Sequence, residues 1–351
     1  MSFELKKLLR PNILTLLPYS SARGEFDQRA EVYLDANENN FGSAAGEGLN
    51  RYPDPLQKAL RKNISDIFGI EENKIFLGNG SDEAIDLLLR IFCRPGKDDV
   101  INCPPTYGMY ETAAAINDVK VRPVPLKAGF ALDRDGVLRA LQPSTRIVFL
   151  CSPNNPTGNL LNRSDILSIC RDARCIVAVD EAYIEFARGE SLLAEIDSFP
   201  NLVVFRTLSK AFGCAGLRLG MAFANPEIIS LFNAVKPPYN VGTLPARLAI
   251  TALERQDDVR RWAQLIRRER DLLSNALAHR REVEAVYPSD ANFLLVRFRD
   301  ARKVYEFLLQ KRIVVRDRSK LLGCQNCLRI SVGTPDENRR LLDVLEEFEC
   351  I

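Results

Sequence analysis

Seven short apolar runs, separated mostly by helical stretches, are the feature that most constrains the fold of this 351-residue chain. The predicted strands are residues 74–77, 99–103, 120–124, 146–151, 175–179, 202–206 and 220–224. Each run is short enough for one buried strand, and amphipathic segments lie between most of them. This alternation is typical of a largely parallel sheet that is covered by helices on both faces.

The pattern changes near Leu244, where a long helical region begins and runs to about His279. It is followed by predicted strands at 293–298, 313–315 and 328–332, with helices around 304–310 and from 335. We therefore expect an α/β protein with a large domain over residues 30–243. Residues 1–29 and 244–351 are expected to form a smaller α/β domain, because the N-terminal segment has no core-sized pattern of its own.

Lys210 belongs to the stretch 207–213, which directly follows the predicted strand 202–206, so it lies at a strand end rather than on a solvated helix face. A lysine held there can be partly desolvated, which favours the neutral amine that attacks a carbonyl. Ser209 and Arg218 flank it with a hydroxyl and a fixed cation, a setting that suits a phosphate. Together they suggest a Schiff-base lysine and a phosphorylated aldehyde cofactor. The alternative is a surface lysine in a loop.

Asp180 follows the predicted strand 175–179, and Lys210 lies 30 positions further along the chain. A carboxylate at the end of a buried strand needs a cation or a strong donor, and a protonated pyridine nitrogen is such a cation. Tyr183 is placed to donate to the ring hydroxyl of the same cofactor. In a parallel sheet both strand ends meet at the edge where ligands bind. A helix N-cap is the alternative for Asp180.

Three further turns carry polar or aromatic side chains next to predicted strands. Asn155 lies in a rigid Pro/Asn turn and is placed to donate to the cofactor's phenolic oxygen, although a simple connection is the alternative. Ser81 and Asp82 follow a Gly-x-Gly turn that opens a helix, where free amides suit an anion. Tyr107 is placed to stack on a planar ring, and a core aromatic is an equally good local interpretation.

These segments, in this order, resemble the fold-type-I aminotransferases that use pyridoxal phosphate, and the resemblance spans nearly the whole chain. It implies a large domain with a mostly parallel sheet covered by helices, plus a smaller α/β domain. Lys210 then is the Schiff-base lysine and Asp180 the partner of the pyridine nitrogen. By the same resemblance Tyr183 and Asn155 bind the O3′ oxygen, Tyr107 stacks on the ring, and the phosphate is held by Ser81, Asp82, Ser209 and Arg218.

Other motifs, at residues 17–23, 34–39, 51–54, 238–241, 314–317 and 328–333, are similar to the histidinol-phosphate aminotransferases. This narrower resemblance implies transamination between L-histidinol phosphate and 2-oxoglutarate in L-histidine biosynthesis. It implies that Arg329 and Arg316, with Tyr19 and Asn37 nearby, bind the substrate's phosphate or a glutamate carboxylate. It also implies a homodimer in which Tyr52 reaches the partner subunit's site.

Two positions depart from that narrower pattern. Cys214 stands where leucine is expected, and Gly242 stands where a larger polar residue is common. Neither has a proposed chemical role, so the reaction type is unaffected. Three other functions stay open: a threonine-phosphate decarboxylase, a broad aromatic aminotransferase, and a cofactor-sensing regulator. The regulator needs an N-terminal DNA-binding module, whereas the cofactor domain here begins by about residue 30.

Composition excludes several other classes. A net charge of +2 gives no case for nucleic acid or an anionic membrane, and no apolar run approaches the roughly 18 residues of a membrane span. Nine cysteines, an odd number, do not indicate a disulfide framework. With one histidine in the chain and one Cys-x-x-Cys at 324–327, we expect no metal site. The N-terminal apolar run is too short for a signal peptide, so the cytoplasm is the expected location.

Overall fold

The computed structural model describes residues 3–19 and 30–349. Its main sheet contains β1 (Ile75–Asn79), β2 (Asp99–Asn102), β3 (Lys120–Pro123), β4 (Thr145–Cys151), β5 (Ile176–Asp180), β6 (Leu202–Thr207) and β7 (Leu219–Ala224). Their order is β1-β7-β6-β5-β4-β2-β3. All seven apolar runs are therefore strands, with ends within two residues of the predicted ones.

The sheet is parallel except for β7, which runs antiparallel to both β1 and β6. The connection from β6 to β7 holds only residues 208–218. A parallel return needs a crossover of a dozen or more residues, usually with a helix, so this short connection reverses the chain instead. The connection that carries Lys210 is therefore a tight loop between two neighbouring central strands.

Apolar side chains cover both faces of the main sheet, as its continuous apolar runs require. On β5, Val177 and Val179 belong to one core, while Ile176 and Ala178 belong to the core on the opposite face. The described helices are α1 (Leu5–Leu8), α2 (Pro11–Leu14), α3 (Lys58–Phe68), α4 (Gly80–Phe92), α5 (Met109–Ile116), α6 (Arg134–Ala140), α7 (Arg163–Asp172), α8 (Pro226–Val235), α9 (Thr243–Leu253), α10 (Gln256–Ala278), α11 (Ala301–Gln310) and α12 (Pro335–Glu349).

A second, fully antiparallel sheet contains β8 (Val283–Val286), β9 (Phe293–Phe298), β10 (Arg316–Asp317) and β11 (Cys327–Ser331), in the order β10-β11-β9-β8. It has its own core with α10, α11 and α12. The predicted strand at 313–315 is wrong, because the chain first pairs with β11 at Arg316. β8 was not predicted, although its alternating apolar and acidic residues fit a half-buried strand.

The predicted long helix after Leu244 is two helices, since Arg255 leaves the helical conformation with φ −97° and ψ 37°. The second helix, α10, joins the two sheets. Val259 and Ala263 pack into the core of the main sheet. Further along, buried Arg270 donates through Nη1 to the carbonyl of Ala291 at 2.9 Å. The small sheet is thereby fixed against the large one, while the exact residue boundaries of the domains stay a prediction.

The described part of the N-terminal segment packs on the large sheet, not on the small domain as expected. Leu8 is buried in the same core as α4. The backbone N–H of Arg10 donates to Ile91 at 3.2 Å, and its Nη1 donates to the carbonyl of Arg90 at 2.9 Å. The apolar side chains of α1 pack against the end of α4. The sequence pattern did not indicate this contact. Within the described ranges, none of the helices combines the length and apolar character of a membrane span.

Gly220 on β7 allows α4 to start directly against the sheet. A Cβ atom at this position would lie 2.2 Å from the carbonyl carbon of Gly80 and from the nitrogen of Ser81. Gly220→Ala should therefore push the start of α4 away and lower the free energy of unfolding by about 1–3 kcal/mol, the usual cost of overpacking. Denaturant unfolding would measure it.

Gly216→Ala is the matched control, because a Cβ there meets no atom within 4 Å and the residue is exposed. Its free energy of unfolding should stay close to that of the wild type. Equal stability of the two variants would show that the start of α4 is not in tight contact with β7.

Candidate active site

A cavity of about 660 Å³ opens at the carboxyl ends of β4, β5 and β6, whose last residues, Cys151, Asp180 and Thr207, line it. This is the edge where open α/β sheets bind ligands. Arg316 and Arg329, from the small sheet, complete part of its wall. The cavity brings together these predicted residues: Ser81, Asp82, Tyr107, Asn155, Asp180, Tyr183, Ser209, Lys210, Arg218, Arg316 and Arg329.

Lys210 extends into this cavity from the tight loop after β6. Its carbonyl accepts from the N–H of Gly213 at 3.0 Å, and Gly213 has a φ of +65°, a conformation that suits glycine. Although the side chain faces the open cavity, loss of hydration against the cavity walls lowers the pKa of its ammonium, with Arg329 the next largest cause. The nearby carboxylates of Asp180 and Asp82 oppose this shift. The setting therefore enriches the neutral, nucleophilic amine.

Asp180 is buried at the end of β5, and burial raises the pKa of its carboxyl to about 6. The Tyr110 hydroxyl donates to Oδ2 at 3.0 Å, and the N–H of Ala182 donates to Oδ1 at 3.0 Å. Both bonds favour the carboxylate but do not offset its lost hydration. No ion pair with Asp180 occurs among residues 3–19 and 30–349. The carboxylate is thus held in place for a cation that the protein itself does not provide.

A hydrogen-bonded chain links the two sheets across the cavity. Arg329 donates through Nη1 to Oδ1 of Asn155 at 2.5 Å, and Nδ2 of Asn155 faces the Tyr183 hydroxyl at 3.3 Å. Burial raises the pKa of Tyr183, so its phenol stays protonated. The Lys210 ammonium lies 5.5 Å from the centre of the Tyr183 ring. Arg329 thereby orients the Asn155 amide, a contact that no sequence pattern indicated.

The start of α4 forms the third part of the site. Its first N–H groups have no partners within the helix, and the helix dipole makes them suitable for an anion. Asp82 accepts from the Tyr107 hydroxyl at 3.0 Å and lies 3.6 Å from Nη2 of Arg218. Ser209 is fixed by Thr207, whose Oγ1 lies 3.0 Å from the Ser209 hydroxyl. A phosphate would therefore find free amides, a hydroxyl and a guanidinium here.

Tyr19, Asn37 and Tyr52 do not line this cavity. Tyr19 is exposed at the end of the first described segment, and Asn37 lies in an exposed loop with a φ of +55°. Tyr52 is half-exposed and stacks on Tyr239, with ring centres 4.5 Å apart. All three belong to segments outside the strand-end edge, so the structure does not bring them to the site of this subunit. The later part of the 17–23 motif lies outside the described residues.

Two cavity-related residues were missed. Arg318 lines the cavity and lies two residues after Arg316, but the predicted strand ended at residue 315, so no strand period could be extended to Arg318. Tyr110, the donor to Asp180, lies one helical turn after Tyr107 and contacts its ring edge to face at 5.6 Å. Its partner is 70 positions away, and only the fold brings the two together.

Comparison with known proteins agrees with this geometry. Residues 22–345 match the family of class I and II aminotransferases. The chain is 48% identical to the histidinol-phosphate aminotransferase of Cytophaga hutchinsonii, over 99% of this chain and 100% of the other. It is 49% identical to that of Parabacteroides distasonis, over 99% of both chains. The crystal structure of the Clostridium acetobutylicum enzyme of this name has a TM-score of 0.80 at 26% identity, covering 86% and 91% of the two chains.

One cavity brings together an amine, a buried carboxylate and the start of a helix that suits an anion. These three groups fit an enzyme whose cofactor is a phosphorylated, positively charged ring that carries an aldehyde. The match over residues 22–345 gives this class its family: the chain belongs to the class I and II aminotransferases. It is a pyridoxal-phosphate-dependent enzyme that transfers amino groups. The residues fit the cofactor, because its pyridinium would supply the cation that Asp180 lacks and its phosphate would suit the start of α4.

The raised pKa of Asp180 makes the stability of the cofactor-free enzyme depend on pH. Between about pH 4 and pH 6 the unfolded chain releases this proton while the native state keeps it, so stability falls as pH rises. Asp180→Asn removes the titration. From pH 4 to pH 7 the variant should gain about 2–3 kcal/mol in free energy of unfolding relative to the wild type.

Denaturant unfolding of both proteins after removal of pyridoxal phosphate measures this difference. Asp66→Asn, at an exposed helix position, serves as the control. Parallel stability curves for wild type and Asp180→Asn over this range would mean that the buried carboxyl does not titrate there.

Proposed function

We propose that this enzyme exchanges the amino group of L-histidinol phosphate with 2-oxoglutarate, giving imidazole-acetol phosphate and glutamate in L-histidine biosynthesis. The names of the relatives at 48% and 49% identity support this substrate. The observation that carries it is the pair of arginines, Arg316 and Arg329, directly opposite each other on β10 and β11 in the cavity that holds Lys210. Arginine's planar fork suits a phosphate as well as a carboxylate.

When bound, pyridoxal phosphate supplies a ring that withdraws electrons from the substrate's α-carbon. Asp180 would hold the proton on the ring nitrogen, because the buried carboxylate gains a cation only in that state. Lys210 would bind the cofactor through Nζ and then, once free, move the proton at the substrate's α-carbon. Its depressed pKa supports both tasks, since each needs the neutral amine.

The remaining cavity residues would orient the cofactor. Asn155 and Tyr183 present an amide N–H and a hydroxyl for the ring oxygen, and their mutual contact and the bond from Arg329 keep them in position. Tyr107 would stack on the ring. The phosphate would be held by the following residues at the start of α4 and after β6: Ser81, Asp82, Ser209 and Arg218.

We infer further that the enzyme is a homodimer with shared active sites. Tyr52 supports this, because its half-exposed ring stacks on Tyr239 and lies outside the cavity of its own subunit. In this arrangement Tyr52 reaches the partner's cofactor, while Tyr19 and Asn37 add to the substrate pocket. Sedimentation equilibrium tests the assembly.

We place the enzyme in the cytoplasm. The cysteines of the described ranges are all free thiols, which fits a reducing compartment. Burial raises the pKa of several of them, including Cys93, Cys103 and Cys151, so they stay protonated and unreactive. Fractionation with a periplasmic marker tests the location.

Lys210→Ala should abolish covalent capture of pyridoxal phosphate and nearly all transamination, because no other amine is proposed to bind the aldehyde. Borohydride reduction followed by peptide mass spectrometry measures the capture. Lys127→Ala, at an exposed lysine paired with Asp133, is the control and should retain it. Cofactor trapped on the Lys210 variant would assign the role to a different lysine.

Arg329→Ala should slow the half-reactions of histidinol phosphate and glutamate alike, since Arg329 would contact either anion and also orients Asn155. Arg316→Ala should slow the half-reaction of histidinol phosphate more than that of glutamate. A charge-assisted contact contributes about 1.5–3 kcal/mol, which corresponds to a loss of roughly one to two orders of magnitude.

Single-turnover rates with each amino donor measure these losses, with phenylalanine and tyrosine as further donors. If Arg316→Ala lowers the rate equally for all donors, or for none of them, Arg316 does not bind the substrate's phosphate selectively. Faster turnover of an aromatic donor than of histidinol phosphate by the wild type would contradict the proposed substrate.

A further inference from the structure

Arg318 shares one face of the small sheet with the two predicted substrate arginines. Arg316 lies opposite Arg329 in the antiparallel ladder. The N–H of Arg318 donates to the carbonyl of Cys327 at 2.9 Å and so continues the pairing beyond β10. Side chains two residues apart on an extended chain point to the same face. Arg316, Arg318 and Arg329 all line the active-site cavity, whereas Asp317 lies between the first two on the other face.

Within the described ranges, the acids of the cavity lining do not balance the positive charge on this face. These acids, Asp82 and Asp180, are engaged elsewhere: Asp82 with Tyr107 and Arg218, and Asp180 with Tyr110 and Ala182. The pKa of Arg318 is lowered by loss of hydration first and then by Arg329 and by Arg316, each with a larger effect than the opposing one of Asp317. Three guanidinium groups therefore converge where an anion would relieve their repulsion.

Arg318 also has a hydrogen-bond donor that is not used within the described part of the chain. Its Nε is buried, and nothing in the described part of the chain accepts from it. Arg329 differs, because one of its N–H groups is already used by the Asn155 amide. A buried donor without an acceptor costs free energy that a bound oxyanion would recover. Arg318 is thus better supplied with free donors than Arg329.

We propose that Arg318 is a third substrate-binding arginine that makes this site selective for a phosphate dianion over a carboxylate. The inference rests on the proposed function and names a residue that determines its specificity. A phosphate monoester carries a charge of about −1.5 to −2 and three acceptor oxygens near neutral pH, whereas one guanidinium fork already satisfies both oxygens of a carboxylate. The third arginine therefore stabilises the phosphate substrate more than glutamate.

The test compares holoenzymes of wild type, Arg318→Gln and Arg318→Lys. Gln removes the charge with little change at the backbone, where Arg318 also accepts from the N–H of Leu321 at 2.9 Å. Lys keeps the charge without the fork. Arg302→Gln, on the exposed face of α11, is the control. The readouts are kcat/KM for histidinol phosphate and for glutamate, and inhibition of the glutamate reaction by inorganic phosphate.

Arg318→Gln should lower kcat/KM for histidinol phosphate about 10- to 100-fold. For glutamate the change should stay within about threefold, which corresponds to less than 1 kcal/mol. Inorganic phosphate should inhibit this variant more weakly, and Arg318→Lys should fall between it and the wild type. Equal losses for both donors, or no loss for either, would overturn the role of Arg318. A wild type inactive on histidinol phosphate would instead overturn the proposed function, and phosphate inhibition would still decide whether Arg318 binds the anion.

Discussion

The rest of the site depends on one buried negative charge at the end of β5. Two donors, the Tyr110 hydroxyl and the N–H of Ala182, hold the Asp180 carboxylate but leave its lost hydration uncompensated. A cation at this position completes the electrostatic balance. The end of this central strand therefore serves ligand binding at the expense of folding stability, because a neutral side chain there would be buried at a lower cost in free energy. Aminotransferase chemistry needs this feature, since a protonated ring accepts electrons better than a neutral one.

The cavity separates charge between its two sheets. The main sheet contributes the buried carboxylate and the lysine, and the small sheet contributes an arginine face. The bond from Arg329 to Asn155 joins the two. In the proposed function, this one contact would position both a substrate anion on the small sheet and the cofactor on the large sheet. α10 makes this arrangement rigid, because it packs into the main core and fixes Ala291 through Arg270.

The success of sequence-based prediction varied with the environment of each element. Six of the seven main-sheet strands were predicted because burial on both faces demands continuous apolar runs. The seventh, β3, lies at the sheet edge and is only partly buried, although its position was also predicted. Prediction was poorer in the small sheet, where β8 is half-buried and β10 has only two residues. The break at Arg255 and the packing of Leu8 on the main sheet also escaped prediction. The packing of Leu8 depends on contacts with a distant segment rather than on local pattern.

The sequence by itself determined the positions of the main-sheet strands along the chain, the polar residues that follow them, and the motifs that indicate pyridoxal phosphate. Local chemistry is enough for these, because an apolar run followed by Asp180 or Lys210 already places a charged group at a strand end. Only the tertiary structure decided that Tyr110 bonds to Asp180, that Arg329 orients Asn155, and that Arg318 joins the arginine face. These pairs are far apart in the chain or depend on the register of two strands, and a sequence pattern contains neither kind of information.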